Sequence, residues 1–322
     1  MSVISHKATR VGFGIQEDQG TPATDPTIIF PLNDGADSPT FNPNRELINY
    51  AIGDKPSPYL WYSKGETMEG SLKIPWVPLL MDDGDFYDWL FDRDADTFDG
   101  LWGTLWYEFG PDTCKQFSDC KVGGGTVALN YGELVTLAIN WSGIKKPIDA
   151  DPTWPTTEEA YALLSVKPYV FHEAYLQLGP AGAYAAEINT NNHTLEFTNA
   201  LSDPGDVATL ASTESDDVLS AIELPMTEWT RWTVNLDRNF QQTDQALMDA
   251  HIDGDEYGYV ATLRRAGLAT ATLCFPRLIS TEYSLPIPAS GHLKETIAFE
   301  ALATYANEGL TPNFTLTETA AA

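Results

Sequence analysis

The sequence has little cysteine, little histidine, little positive charge and no long apolar run. Three cysteines in 322 residues, Cys114, Cys120 and Cys274, are too few and too odd in number for a disulfide scaffold. Cys114 and Cys120 flank an expected turn and could meet, but a buried free thiol is the default reading for each. No apolar stretch reaches the roughly 18 residues that a membrane helix requires. The opening Met1-Ser2-Val3-Ile4-Ser5-His6-Lys7 lacks the apolar centre of a secretion signal. The expectation is a soluble protein that folds where it is made, in a cytoplasm, and makes no contact with a membrane. Basic residues number 18 against 46 acidic ones, so the formal net charge is 18 − 46 = −28. A chain with this balance is not built to grip phosphate, which needs lysine and arginine. Lys145-Lys146 and Arg264-Arg265 are pairs, not patches.

Catalytic signatures are also missing. His6, His172, His193, His251 and His292 fall in no metalloprotease spacing, and His172-Glu173 reads as structural. No Gly-x-Ser-x-Gly elbow and no phosphate loop occur. Gly123-Gly124-Gly125 lacks the Lys-Ser/Thr that a phosphate loop carries and reads as a turn or bulge. Asp92-Arg93-Asp94-Ala95-Asp96 opens like a calcium loop, but Thr97 stands where glycine is needed and Gly103 where glutamate is needed. Asp82-Asp83-Gly84-Asp85 and Asp253-Gly254-Asp255-Glu256 read as caps and turns around helices. The expectation is no enzyme, no cofactor and no metal.

What is present is a chain of alternating strands. Leu72, Ile74 and Trp76 form one face, as do Val127, Leu129 and Tyr131, and Val135, Leu137, Ile139 and Trp141. Phe86, Trp89 and Leu90 fall at helical spacing behind Asp85. The second half repeats this order. Leu72, Ile74 and Trp76 answer to Trp232, Val234 and Leu236 at an offset of 232 − 72 = 160. The helix answers to a second one with Leu247 and Ala250 on one face. Val127 and Leu129 answer to Leu285 and Ile287, and Val135, Ile139 and Trp141 to Leu293, Ile297 and Phe299, both at 285 − 127 = 158. Cys120-Lys121-Val122 answers to Pro276-Arg277-Leu278 with a two-residue slip. The pattern implies a tandem duplication. The boundaries are an extended arm at 1–45, a first β domain at 46–146, a linker at 147–166, a second β domain at 167–312 and a flexible tail at 313–322. Two similar domains act like two subunits of a ring, so three chains would supply six quasi-equivalent positions.

Three sets of residues also resemble a known family. The first is Val11-Gly12-Phe13-Gly14-Ile15-Gln16-Glu17-Asp18-Gln19-Gly20-Thr21-Pro22-Ala23. The second is Ile52-Gly53-Asp54-Lys55-Pro56 with Gly70-Ser71-Leu72-Lys73-Ile74-Pro75. The third is Phe117-Ser118-Asp119-Cys120-Lys121-Val122 leading to Gly132-Glu133-Leu134-Val135-Thr136. In order, they resemble the tail tube proteins of siphovirus-type bacteriophages, which have long, non-contractile tails. The resemblance covers residues 10–146 and, more loosely, 167–312, where it opens on Lys167-Pro168-Tyr169-Val170-Phe171. It implies a mainly β fold of two tandem β-sandwich or half-barrel domains, each with one flanking helix. It implies stacked rings, trimers acting as pseudo-hexamers, around a lumen through which viral DNA passes without specific binding. The partners it implies are other copies of the chain, a tape measure protein, a tail terminator and baseplate or distal tail proteins. The location it implies is the virion tail, assembled in the host cytoplasm. An acidic lumen would repel phosphate over the roughly 8 Å that physiological salt leaves unscreened. Gly20, Thr21 and Pro22 in the arm, and Tyr59, Trp61 and Tyr62 in a loop, are the expected contacts between subunits or rings. The alternatives are a β-sandwich binding module, a virion decoration protein, and a neck or tail-terminator ring protein.

Overall fold

The computed structural model describes residues 10–31, 39–42, 45–48, 60–63, 67–78, 80–81, 84–93, 99–110, 113–155, 166–181, 186–188, 190–202, 223–240, 246–265, 269–287, 291–306, 309–311 and 314–320. The first half contributes β1 (Arg10–Ile15), β2 (Ile28–Ile29), β3 (Thr40–Asn42), β4 (Arg45–Ile48), β5 (Leu60–Ser63) and β6 (Thr67–Pro75). After these come α1 (Gly84–Phe91), β7 (Gly103–Gly110), β8 (Thr113–Asn130), β9 (Thr136–Gly143) and β10 (Ile148–Asp149). The second half contributes β11 (Ala174–Pro180), β12 (Ala186–Glu187), β13 (Asn192–Thr198), β14 (Arg231–Asn239), α2 (Ala246–Asp253), β15 (Glu256–Arg265), β16 (Ala269–Ser284) and β17 (Lys294–Ala301). It ends with β18 (Thr304–Ala306), β19 (Gly309–Thr311) and β20 (Thr315–Ala320).

The chain is mainly β, and sixteen strands join in one antiparallel sheet. The alternation read from the sequence is what builds it: Leu72 and Ile74 are buried while Lys73 is exposed, and Leu195 and Phe197 are buried while Glu196 is exposed. Behind the sheet, Phe86, Trp89 and Leu90 of α1 enter the core, where Phe13 lies 4.7 Å from Trp89 and 5.8 Å from Phe86, centroid to centroid.

Each half has the same strand order. In the first it runs β2-β1-β7-β8-β9-β6-β3, and in the second β12-β11-β15-β16-β17-β14-β13. The irregularities repeat as well. The pairs Gly103–Cys120 and then Leu105–Phe117 recur as Tyr257–Leu278 and then Tyr259–Phe275. The bulge between Val122–Trp141 and Gly124–Asn140 recurs between Ser280–Phe299 and Glu282–Ala298, an offset of 280 − 122 = 158. A bulge bends and twists a strand locally. Here it lets β8 and β16 each serve two neighbours in succession.

The register corrects several sequence readings. Leu72 pairs with Ile139 and Leu236 with Ile297, so Leu72 answers to Leu236 at 236 − 72 = 164, not 160. Cys120 answers to Leu278 at the common offset of 158. No turn separates Cys114 from Cys120, because both lie on β8 and both are free thiols. Residues 10–31, read as part of an extended arm, are packed into the first half. Arg10–Ile15 pairs along β7 and Phe13 is fully buried. Its apolar alternation is short, and Gly12 and Gly14 hide it; a Cβ on Gly12 would lie 2.7 Å from Pro26 and 2.8 Å from Trp154, and one on Gly14 would lie 3.1 Å from Ala23 and from the Asp25 carbonyl. Within the linker span, β10 pairs with β8, and Arg10 stacks on Trp154 at 4.2 Å. Thr315–Ala320, read as a flexible tail, pairs with β16, and the Glu318 carboxylate accepts a bond from the Met81 N–H at 2.7 Å.

Candidate assembly site

The two halves meet where the C-terminal part of β8 pairs with β13. The register runs from Gly124–Thr198 through Gly125–Phe197 and Thr126–Glu196 to Asn130–Asn192. The glycines make this close approach possible. A Cβ on Gly125 would lie 2.4 Å from the Ala138 carbonyl and 2.7 Å from the Phe197 ring. Phe91 at the end of α1 reaches across and packs on Phe197 at 5.0 Å and Trp232 at 5.5 Å. Asn199 closes the helix end: its amide donates to the Leu90 and Val122 carbonyls, both at 3.1 Å, and its oxygen accepts from Arg93 and Thr230. Lys121, fully buried, bonds Asp99 and the Leu224 carbonyl and lies 4.1 Å from the Trp102 ring centroid. His193 is buried on β13 between the Asn235 carbonyl and the Tyr259 hydroxyl. Burial pushes its pKa down to about 3, with the Asn235 bond opposing, so the ring is neutral at physiological pH.

Rows of residues cross this boundary without a break. One runs Thr136, Ala128, Thr194, Asn235, Ala298, Glu282, and another runs Lys73, Ala138, Thr126, Glu196, Thr233, Glu300. All lie on the side of the sheet away from the core, and none is a large apolar residue. On these strands the charged members of that face, apart from fully buried Lys121, are Glu69, Glu196, Asp237, Glu282 and Glu300 against Lys73, Arg231 and Lys294, which is 3 − 5 = −2. Arg231 and Glu300 are bonded at 2.6 Å, and the Thr296 hydroxyl donates to Asp237 at 2.7 Å. This wide, shallow face holds little of the chain's charge of −28.

The residues singled out in the sequence fall in two places. Gly20 and Thr21 lie on an exposed turn and Pro22 just after it, half-buried. Gly20 has φ +84° and donates its N–H to Asp119 at 2.9 Å. Buried Gln16 joins the same turn to β8: its amide donates to Asp119 and accepts from the Asp119 N–H, both at 2.7 Å, and Thr104 donates to it at 3.0 Å. Lys145 stands 3.6 Å from the second Asp119 oxygen. The sequence reading quoted Gln16 and Asp119 only within two separate segments and gave neither a role; Asp119 has φ +52°, the one non-glycine positive value among the described residues. Trp61 and Tyr62 belong to β5, opposite Leu47 and Glu46 of β4, and Tyr59 lies outside the described residues. The structure does not bring this hairpin and the Gly20 turn together in one sheet.

The acidic runs have local partners. Gly254, at φ +73°, ends α2, where the Asp255 N–H bonds the Ala250 carbonyl, and Glu256 is held by Arg277 at 2.6 Å. Asp94-Ala95-Asp96 and Asp82-Asp83 lie outside the described residues. Among the described residues no three His, Cys, Asp or Glu side chains are grouped to hold a metal, and no helix is long and apolar enough to cross a membrane. No protein-family model matches the chain, and no curated protein is significantly similar to it.

Proposed function

We propose that the chain is a structural subunit of a conduit: a tandem-duplicated tail tube protein of a long-tailed bacteriophage, with two β-sandwich domains whose shared sheet forms part of a ring wall. The observation that carries the reading is the sheet that continues through the β8–β13 joint with a small, polar outer face. A wall for a moving polymer needs no pocket and no anchoring group. Threonine, serine, asparagine and alanine give such a wall: short side chains, no aromatic to stack on bases, and three cations of which Arg231 is paired with Glu300. With −2 on the face, it is weakly anionic, so passage of DNA rests on the lack of grip more than on repulsion. The remaining acidity keeps a concentrated subunit soluble before it assembles. Copies of the chain, a tape measure protein and viral DNA are the partners on this reading, and the virion tail is the place. The test is electron microscopy of the purified chain over a concentration series. Rings of three chains or hollow stacked tubes are expected. A monodisperse monomer at every concentration, with a crowding agent included, would overturn the proposal in favour of a binding module.

A further inference from the structure

Lysine–aspartate pairs in this chain differ in how far water reaches them. The side chains of Lys115 and Asp149 are 37% and 84% exposed, and that of Lys145, beside Asp119, is 25% exposed. Lys121 on β8 is 0% exposed, and its Nζ is bonded to Oδ2 of Asp99. The Trp102 ring lies over the same Nζ, which also donates to the Leu224 carbonyl at 3.1 Å. Burial pulls the Lys121 pKa down, and the bond to Asp99 opposes it. A lysine stripped of its water gives up its proton more readily, and its amine is then a nucleophile.

The other oxygen of the same carboxylate is held by two backbone donors. The Gly100 and Met226 N–H groups both bond Oδ1 of Asp99 at 2.9 Å. A Cβ on Gly100 would lie 2.6 Å from the Met226 methyl carbon, so glycine at this position lets the two donors converge. Two N–H groups on one oxygen stabilise the charge that develops there when its carbon is attacked. Leu224 and Met226 come from the second half, so the site is complete only when the two halves are joined. At the offset of 158 the counterpart of Lys121 is Ile279, and the second half has no such lysine.

We propose that Lys121 and Asp99 condense into an isopeptide bond within the folded chain. A proton first moves from Nζ to Oδ2, which leaves a neutral amine against a neutral carboxyl group. The Nζ lone pair attacks Cγ, and the charge that develops on Oδ1 is met by the Gly100 and Met226 N–H groups. The Cγ–Oδ2 bond then breaks, and Oδ2 leaves as water with a second proton from the nitrogen. The last N–H is retained in the amide and keeps the Leu224 carbonyl as its acceptor. One cation and one anion are consumed, one water is released, and no oxidant takes part. In water two solvated ions resist this condensation. Here Lys121 has already lost its hydration, and the reaction replaces a buried charge by a neutral amide whose oxygen keeps both donors. The reacting groups are also held in contact. Asp99, with a side chain 27% exposed, gives the departing water a way out. The product ties two residues 22 apart across the base of the β7–β8 hairpin, next to the Gly103–Cys120 pair. The bond does not depend on whether the chain assembles.

The test is intact-mass spectrometry of the purified full chain under denaturing conditions, followed by peptide mapping. The wild type is expected below its sequence mass, with allowance for the initiator methionine, by one water molecule. A branched peptide carrying both Asp99 and Lys121 is expected in the digest. Lys121→Arg keeps the charge and should show its full sequence mass, as should Asp99→Ala. Asp99→Asn should end at the same mass as the linked wild type, because ammonia leaves in place of water. Wild type at its full sequence mass, after incubation of the folded chain, would overturn the proposal. Loss of one water with Lys121 in an unbranched peptide would overturn it too, since that is the mark of a cyclic imide at Asp99-Gly100.

Discussion

The buried histidine at the joint between the halves gives a pH dependence that can be worked out in advance. His193 sits with its Nδ1 3.1 Å from the Asn235 carbonyl and its Nε2 at the Tyr259 hydroxyl. The carbonyl can only accept, so Nδ1 carries the proton and Nε2 accepts from Tyr259. That arrangement needs the neutral ring, and burial lowers the pKa from 6.5 to about 3. The folded pKa lies below the unfolded one, so between the two values the unfolded chain binds the extra proton. Stability is fully present above pH 6.5 and falls as the pH drops toward 3, with a limiting slope of about 1.4 kcal/mol per pH unit. Between pH 7 and pH 5 this one group removes about 2 kcal/mol. Carboxylates contribute to the same curve, so the measurement is a difference. Urea denaturation followed by tryptophan fluorescence would compare the wild type with His193→Phe/Tyr259→Phe, in which both polar partners go together. The variant should lose about 2 kcal/mol less than the wild type over this interval. Parallel curves for the two proteins would refute the assignment of a neutral, buried His193.

Three further outcomes follow from the same packing. Gly125→Ala puts a methyl group 2.4 Å from the Ala138 carbonyl and should cost about 1–3 kcal/mol in thermal or chemical denaturation, whereas Gly132→Ala, with nothing within 4 Å but a φ of +81°, should act through backbone strain alone and cost about 1–2 kcal/mol. Lys121→Met removes the cation beside Asp99 and should cost about 3 kcal/mol, read as a lower denaturation midpoint; Asp99 keeps the Gly100 and Met226 N–H groups at 2.9 Å, so the chain should still fold. Gln16→Leu strips partners from Thr104 and the Asp119 N–H and should cost about 2–4 kcal/mol, with faster amide exchange confined first to the Gly20 turn.

The alternation of apolar residues made the strands and both helices legible, and the repeat made the duplicated order legible. What the alternation could not give was register. Leu72 and Leu236 correspond, yet Leu72 and Trp232 look as good a match, because a slip of four residues returns every side chain to the same face. Pairing across the sheet removed that ambiguity. Residues 10–31 were misread for a related reason: the signature of a strand was hidden by Gly12 and Gly14, and only the packing of Pro26 and Trp154 shows why Gly12 is there. Gln16 and Asp119 were invisible as a pair, since 103 residues separate them.

The sequence by itself determined the class of structure, a β-rich chain built twice, and the strongly acidic surface, because periodicity and charge are local sums over residues. The tertiary structure decided which distant edges are joined inside the chain. It also decided that the broad polar face carries −2 of the −28, and that Phe41, Ile252 and Ile287 stand uncovered. Those properties depend on which distant strands lie side by side, and hydrogen bonds between strands carry no mark in the order of residues along either one.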